Sequence, residues 1–437
     1  MLSMLPKQRE RAPQIPEFVH KEVLSNGLRV LVHEMPWAQS VSARFLVKAG
    51  PRYEDEVTTG SAHYLEHMFF EGSQKYPSRR ELDRAVESRG GDHSAYTDKE
   101  YVMYQAKLPT ESADFASEFV RELVFNPVMA EEAVEREKGV ISAELRRSID
   151  TPAQHRWNLL RQHVWSGHPL GHNTLGTFDS IERISRQDLL GYHTRFYRPN
   201  NAILVVVGNI TTPRAIDLVA RDFGSLTASG DQLPSIPAPI QSVDSRVLVE
   251  ERDIKQAHLL LAFATDGHGE SSPVLPQIQV LSRMLRNNIF HKFVYDLGFS
   301  YSAGCYPWLV SDSGNMVITV EVAPENTDQA VTRMVQEVNS LKVDEESVQE
   351  AKAGVVSDTI LNLADTDVYA HFIGKQELYT GAVKSPEQVR ADIQSVSVED
   401  IQKTKRTLLT RNNAAMVVLG PVPQGKAKEL DDMLVFA

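Results

Sequence analysis

Three side chains within five residues of "GSAHYLEHMFFEG" (60–72) are of the types that hydrolytic metal chemistry uses: His63, Glu66 and His67. Residues three and four apart share a face of an α-helix, so all three project together. At about 100° per residue, Glu66 falls at about 300° and His67 at about 40° from His63. Ala62, Leu65 and Phe69 form the opposite, apolar side, suited to packing on a sheet. Two histidines at i and i+4 can aim both rings at one zinc ion. The carboxylate between them then reaches a water on that ion without being a ligand. The order H-Y-L-E-H inverts the commoner H-E-x-x-H arrangement. The plain alternative is an exposed amphipathic helix that happens to carry two imidazoles.

A catalytic zinc takes three protein ligands and keeps one position open. Cys305 is the single cysteine, which excludes an internal disulfide framework and a cysteine-based metal site. The third ligand must then be His, Asp or Glu. The segment "EEAVEREKGVISAELRRSI" (131–149) has the period of a helix, with an apolar stripe of Val134, Ile141, Leu145 and Ile149. Glu137 and Glu144 lie two turns apart on the border of that stripe. The residues alone leave open whether either one is a ligand or both are solvated.

These segments need a scaffold. At 437 residues the chain is too long for one ordinary domain. Its 42% hydrophobic and 24% charged residues are the figures of a globular protein with ample core. No apolar run approaches the roughly 18 residues of a membrane span. The net charge of −12, without a Lys/Arg cluster, argues against nucleic acid as a partner. "MLSMLPKQRERAPQIPEF" has basic residues but no apolar stretch, so it reads as a disordered leader. That predicts a cytoplasmic protein with no membrane partner, or a periplasmic one if a signal peptide has been removed.

The chain repeats itself. "IERISRQDLL…RPNNAILVVVG" (181–208) matches "IQSVSVEDIQ…TRNNAAMVVLG" (393–420) without a gap. Ser185/Ser397, Asp188/Asp400, Asn200/Asn412, Asn201/Asn413, Val205/Val417 and Gly208/Gly420 are identical pairs. Each copy reads as a capped helix, a turn at Asn-Asn and a buried strand ending in glycine. A duplicated domain follows. The Pro/Ser/Gly-rich stretch 226–245 has linker composition. The expected organisation is residues 1–229 carrying the histidine helix, a linker at 230–245, and a homologous domain at 246–437.

In the first half, Asn26-Gly27 joins two strands in "FVHKEVLSNGLRVLVHEM". "SVSARFLVKAG" and "AYTDKEYVMYQAKL" (95–108) alternate and read as one further strand each. Helical periods cover 60–71, 78–89, 111–125, 130–148 and 181–195. The fold class is α+β: two homologous domains, each a mostly antiparallel sheet with helices packed on one face.

Taken in order, "GLRVLVHE", "VKAGPRYE", "GSAHYLEHMFFEGSQKYP", "ESRGGDHSAYTDKEYVMY", "VEREKGVISAE", "HPLGHNTLGT" and "YRPNNAILVVVGNI" resemble the pitrilysin/insulinase family of inverzincin zinc peptidases. That family includes the mitochondrial processing peptidases, and the likeness spans nearly the whole chain. The resemblance implies that His63, His67 and Glu144 ligate one Zn2+ per chain, and that Glu66 is the general base for the zinc-polarised water. It implies Glu137 as a carboxylate supporting the site. "GGDHSAYT" (90–97) matches the segment opening the edge strand on which such enzymes hold peptides by strand addition. Ser94 and Ala95 then touch substrate, although the usual residue at 94 is asparagine, whose two-pronged amide contact serine cannot make. His93 beside them is a further candidate contact, or a plain loop histidine.

"DLGFSYSAG" resembles an R-x-x-x-G-x-x-Y element whose arginine and tyrosine face the zinc across a closed chamber. Gly298 and Tyr301 are present, but Val294 occupies the arginine position and cannot replace a guanidinium. The second half contains no H-x-x-E-H. The chain resembles the two-domain half of a four-domain assembly, so the implied state is a heterodimer with a related zinc-less subunit that carries the Arg/Tyr pair. A homodimer is the alternative. The implied function is a zinc endopeptidase cleaving peptides or unfolded segments inside that chamber. The rival is a non-catalytic structural or peptide-holding subunit, which would have lost motif residues that are intact here.

Overall fold

The computed structural model describes residues 18–228, 230, 236–238, 246–268 and 274–436. Most of the expected linker at 230–245 therefore lies outside the described residues, as does the expected leader up to residue 17.

The first half holds strands β1 (His20–Val23), β2 (Arg29–Glu34), β3 (Ser40–Val47), β4 (Asp92–Thr97), β5 (Val102–Pro109) and β6 (Ala202–Gly208). Its helices are α1 (Ser61–Phe70), α2 (Arg79–Glu87), α3 (Ala113–Phe125), α4 (Glu131–Asp150), α5 (Pro152–Val164), α6 (Phe178–Arg183), α7 (Arg186–Phe196) and α8 (Thr212–Phe223). The sheet order is β1-β2-β6-β3-β5-β4, and only β2 and β6 pair in parallel. Asn26 fixes the first hairpin, since Oδ1 accepts from Leu28 N at 3.2 Å and Nδ2 donates to Phe223 O at 2.8 Å.

The second half holds β7 (Val247–Glu251), β8 (Ala257–Thr265), β9 (Ala303–Leu309), β10 (Gly314–Val322) and β11 (Ala414–Gly420). Its helices are α9 (Leu275–Phe290), α10 (Thr327–Ser340), α11 (Glu345–Ile360), α12 (Thr366–Thr380), α13 (Pro386–Ser395), α14 (Val398–Leu408) and α15 (Ala427–Met433). Here the order is β7-β11-β8-β10-β9, again with one parallel pair, β7 and β11.

The repeat is one structural unit used twice. Ser185 and Ser397 cap α7 and α14 with reciprocal bonds to Asp188 and Asp400, each serine N–H donating to the aspartate at 2.9 Å. The second asparagine of each pair clamps the end of its helix. Asn201 Nδ2 donates to Phe196 O at 2.8 Å, and Asn413 Nδ2 to Thr407 O at 2.9 Å. The chain then enters β6 or β11, both buried along their whole length.

Two expectations change in detail. The single strand expected over 95–108 is a hairpin of β4 and β5, because Asp98 N–H donates to Tyr101 O at 2.8 Å and closes a turn. The helix expected over 181–195 is α6 and α7, split where the Ser185 cap restarts the backbone.

Within each half the helices cover one sheet face, as the fold class predicts, and the other face receives a helix from the opposite half. Tyr369, Ala370 and Ile373 of α12 pack on Leu31, Leu46, Ile203 and Val205 of the first sheet. Leu159, Leu160 and Val164 of α5 pack on Leu260, Ala262, Val417 and Leu419 of the second. Buried Glu377 anchors α12 by accepting from Lys21 at 2.8 Å and Arg29 at 3.0 Å. Arg52, also buried, bridges Glu100 at 2.7 Å in its own half and Asp312 at 2.6 Å in the other.

Helix α1 sits under this sheet with Ala62, Leu65 and Phe69 fully buried. Its N-cap is Gly60, at φ 95°, where a Cβ would meet the Gly176 Cα at 2.8 Å. Glycine offers no capping side chain, so the buried Glu54 carboxyl does the work from upstream. It accepts from Gly60 N and Ala62 N, each at 2.8 Å. Burial pushes the Glu54 pKa up to about 7, against the opposing pull of those two backbone bonds. A carboxyl whose pKa is raised on folding contributes stability that is fully present below its unfolded value and is lost as pH rises through the folded one. Glu54→Ala should therefore lower unfolding stability by about 2–3 kcal/mol at acid pH, since two buried donors lose their acceptor. Urea titrations should show that deficit shrinking from about pH 5 to about pH 8.

Candidate metal centre

Helix α4 crosses α1, and the two place four side chains together. His63 Nε2 lies 3.6 Å and His67 Nε2 3.4 Å from the same Glu144 oxygen, Oε2. The three ligand atoms all fall within 4.8 Å of one another. Atoms sharing a tetrahedral zinc at about 2.0–2.1 Å stand about 3.3 Å apart, so these separations suit a common metal. Two imidazoles and one carboxylate also leave the open fourth position of a hydrolytic zinc site. The residues fit a zinc ion.

Glu137 sits behind them. Its Oε2 is 3.1 Å from His67 Nδ1, and only 4% of the residue is exposed. With Nδ1–H donating to Glu137, the tautomer leaves the Nε2 lone pair free for a metal. The stripe of Val134, Ile141 and Leu145 anchors α4 in the core, and Tyr64 Oη donates to Val134 O at 2.5 Å. Heptad spacing on one helix thus gives Glu137 and Glu144 different depths and sets them against different nitrogens of His67.

The local fields are strong. Burial lowers the His63 pKa to about 4, helped by the charge of His67 and opposed by Glu144. Burial also works against a proton on His67, but the hydrogen bonds and charges of Glu137 and Glu144 prevail and raise its pKa to about 9. Hydrogen bonding to His67 is the main cause that lowers both glutamates. This pocket is built around a positive charge, which a proton or a metal ion can supply.

Glu66 stands on the same face outside the ligand cluster. Thr97 Oγ1, at the end of β4, donates to Glu66 Oε2 at 2.5 Å. Burial raises the Glu66 pKa, and the Thr97 bond pulls it back. A cavity of about 460 Å3 opens in front, lined by His63, Glu66, Thr97, Glu144, Trp157 and Arg161 among others. Thr97, Trp157 and Arg161 were not singled out from the sequence. The signal for Thr97 was present, two residues beyond Ala95 on the same face of an alternating strand.

Strand β4 is an edge of its sheet. Ala95 lines the main cavity and also a smaller one of about 230 Å3, shared with Glu66, His67, His93 and Ser94. His93 is no loop residue. It lies in β4, 3.1 Å from Asp83 and stacked at 5.5 Å on Phe70, which gives it a packing role. Tyr301 stands apart, 99% exposed on the second half and absent from the described lining of both cavities. Val294 lies in the π-helical turn His291–Asp296 after α9 and packs partly buried against the second core.

Residues 29–178 match the family model described as Insulinase (Peptidase family M16), and residues 183–355 match Peptidase M16 inactive domain. The chain belongs to the M16 peptidase family. An uncharacterized zinc protease of Bacillus subtilis, YmxG, is 26% identical over 405 residues, covering 92% of this chain and 98% of that protein. The mitochondrial-processing peptidase subunit beta of Lentinula edodes is 27% identical over 425 residues, covering 93% and 90%. A protease from Helicobacter pylori has the same fold, with a TM-score of 0.86 at 19% identity over 92% of this chain and 99% of that one. Among the described residues, no helix is long and apolar enough to cross a membrane.

His63→Ala and Glu144→Ala should each abolish stoichiometric zinc binding. Glu137→Gln should retain the metal but weaken it by about 10–100-fold. Competition with a chromophoric chelator reads all three.

Proposed function

We propose that this chain is a zinc-dependent endopeptidase of HxxEH type, acting on peptides or unfolded segments. The observation that carries this reading is the convergence of His63, His67 and Glu144 on one point, with Glu66 beside them and outside the ligand set. Zinc held there would polarise the scissile carbonyl and make a bound water acidic. Glu66 takes the proton from the attacking water and delivers it to the leaving amine nitrogen. Thr97 fixes the carboxylate for both steps, and Glu137 holds His67 in register. The free edge of β4, at Ser94 and Ala95, offers backbone groups for an extended substrate.

We infer that the working unit includes a second, related subunit. Val294 is apolar and packed against the second core, so this chain does not supply a cation from that position. A heterodimer whose zinc-less partner brings the Arg/Tyr pair to a closed chamber accounts for this. Tyr301 of this chain would then face the partner's side of that chamber. We place the division between the halves at 230–245. The name of the fungal relative, a peptidase subunit, supports a two-subunit arrangement.

Glu66→Gln should keep the zinc and lose turnover by about a thousandfold or more. Retained turnover would overturn the assigned base. Glu66 must be ionised to act, so activity should fall at acid pH as the carboxylate is titrated through its pKa. Thr97→Val removes the bond that lowers that pKa, so its acid limb should move to higher pH at unchanged zinc content. Full activity from the purified chain alone, as a monomer or a homodimer, would rule out the required heterologous partner.

A further inference from the structure

Arg161 lines the same cavity as His63, Glu66 and Glu144, yet the chemistry above gives it no task. Among the described residues it forms no ion pair. Nη1 donates to Asn158 Oδ1 at 2.8 Å, the guanidinium lies 5.0 Å over the Trp308 ring, and Nε is buried without a hydrogen-bond partner. Burial is the main cause that lowers its pKa, and Asp98 opposes this through its charge alone, without a hydrogen bond. Neighbouring Lys99 is turned away and donates to the His172 carbonyl.

Its position is set from both halves. Asn158 Nδ2 donates to Ser148 Oγ at 3.2 Å, and Ser148 is one turn beyond Glu144 on α4. Trp308 of β9 supports the guanidinium from the second half. A guanidinium held in place, desolvated and without a carboxylate in direct contact is an incompletely satisfied charge, which an anion with two acceptor oxygens would compensate.

We propose that Arg161 binds a carboxylate of the peptide substrate close to the scissile bond, so that the enzyme selects acidic peptides. The carboxylate is an Asp or Glu side chain or the peptide's own C-terminus. This rests on the peptidase reading and deepens it. Arg161 is a specificity residue and takes no part in the proton transfers of Glu66.

The test uses the zinc-loaded chain with whatever partner its activity requires. Fluorogenic peptides carry Glu, Gln or Lys at each position flanking the scissile bond, each peptide made with a C-terminal acid and a C-terminal amide. At one position kcat/KM should favour Glu over Gln by about tenfold or more, as a charge-assisted hydrogen bond provides. If the C-terminus is the anion, the acid form should be favoured over the amide by the same factor. Arg161→Gln should bring the ratio close to one at unchanged zinc content, and Arg161→Lys should keep part of it. Binding of the same peptides to the zinc-loaded Glu66→Gln chain, read by fluorescence anisotropy, should rank them alike. Cleavage without an acidic preference, or a preference that survives in Arg161→Gln, overturns the inference. If Arg161→Gln loses its zinc, the Lys variant and the wild-type ranking decide. No cleavage of any peptide would instead count against the peptidase reading itself.

Discussion

Glu144 Oε2 stands 3.6 Å from His63 Nε2 and 3.4 Å from His67 Nε2, and this convergence constrains everything around it. Two imidazoles one turn apart set the direction, and a carboxylate from a second helix must arrive at the one point both rings face. An error of about 1 Å at such a site is a loss of function. That explains how much of the first half is devoted to holding α1. Glu54 caps it, Gly60 lets it begin against Gly176, Tyr64 ties it to α4, and Leu65 and Phe69 bury its back.

The second half repeats the fold without the histidines, and its contribution is architectural. Each sheet has two apolar faces and helices of its own for only one. The exchange of α12 and α5 covers the remaining faces, while the Glu377 and Arg52 networks lock the exchange with ion pairs. The cavity is consequently built on a unit joined at several separate places. Its wall includes α5, the helix that reaches into the other half, so Arg161 sits where the two halves meet.

Features that depend on local spacing were legible from residues alone. The i, i+4 histidines, the stripe of α4, the Ser185/Asp188 and Ser397/Asp400 caps and the Asn26-Gly27 hairpin all occupy the elements that their periodicity implies. Long-range contacts were not. Glu54 reads as a polar loop residue until α1 is seen to begin beside it, and nothing in "TPAQHRWNLLRQHV" shows that α5 covers the other half's sheet. Spacing could not separate Glu137 from Glu144, because both border the same stripe. Only the packing of α4 against α1 sets one beside His67 Nδ1 and the other beside both Nε2 atoms. The turn at Asp98 was missed because one backbone hydrogen bond outweighs the alternation on either side of it.

Anomalous diffraction at the zinc edge, on crystals of the metal-loaded chain, tests the central claim most directly. The account predicts one peak per chain, about 2.0–2.2 Å from His63 Nε2, His67 Nε2 and a Glu144 oxygen, with Glu66 outside bonding distance. A peak elsewhere, no peak at all, or Glu66 bound in place of Glu144 would contradict it.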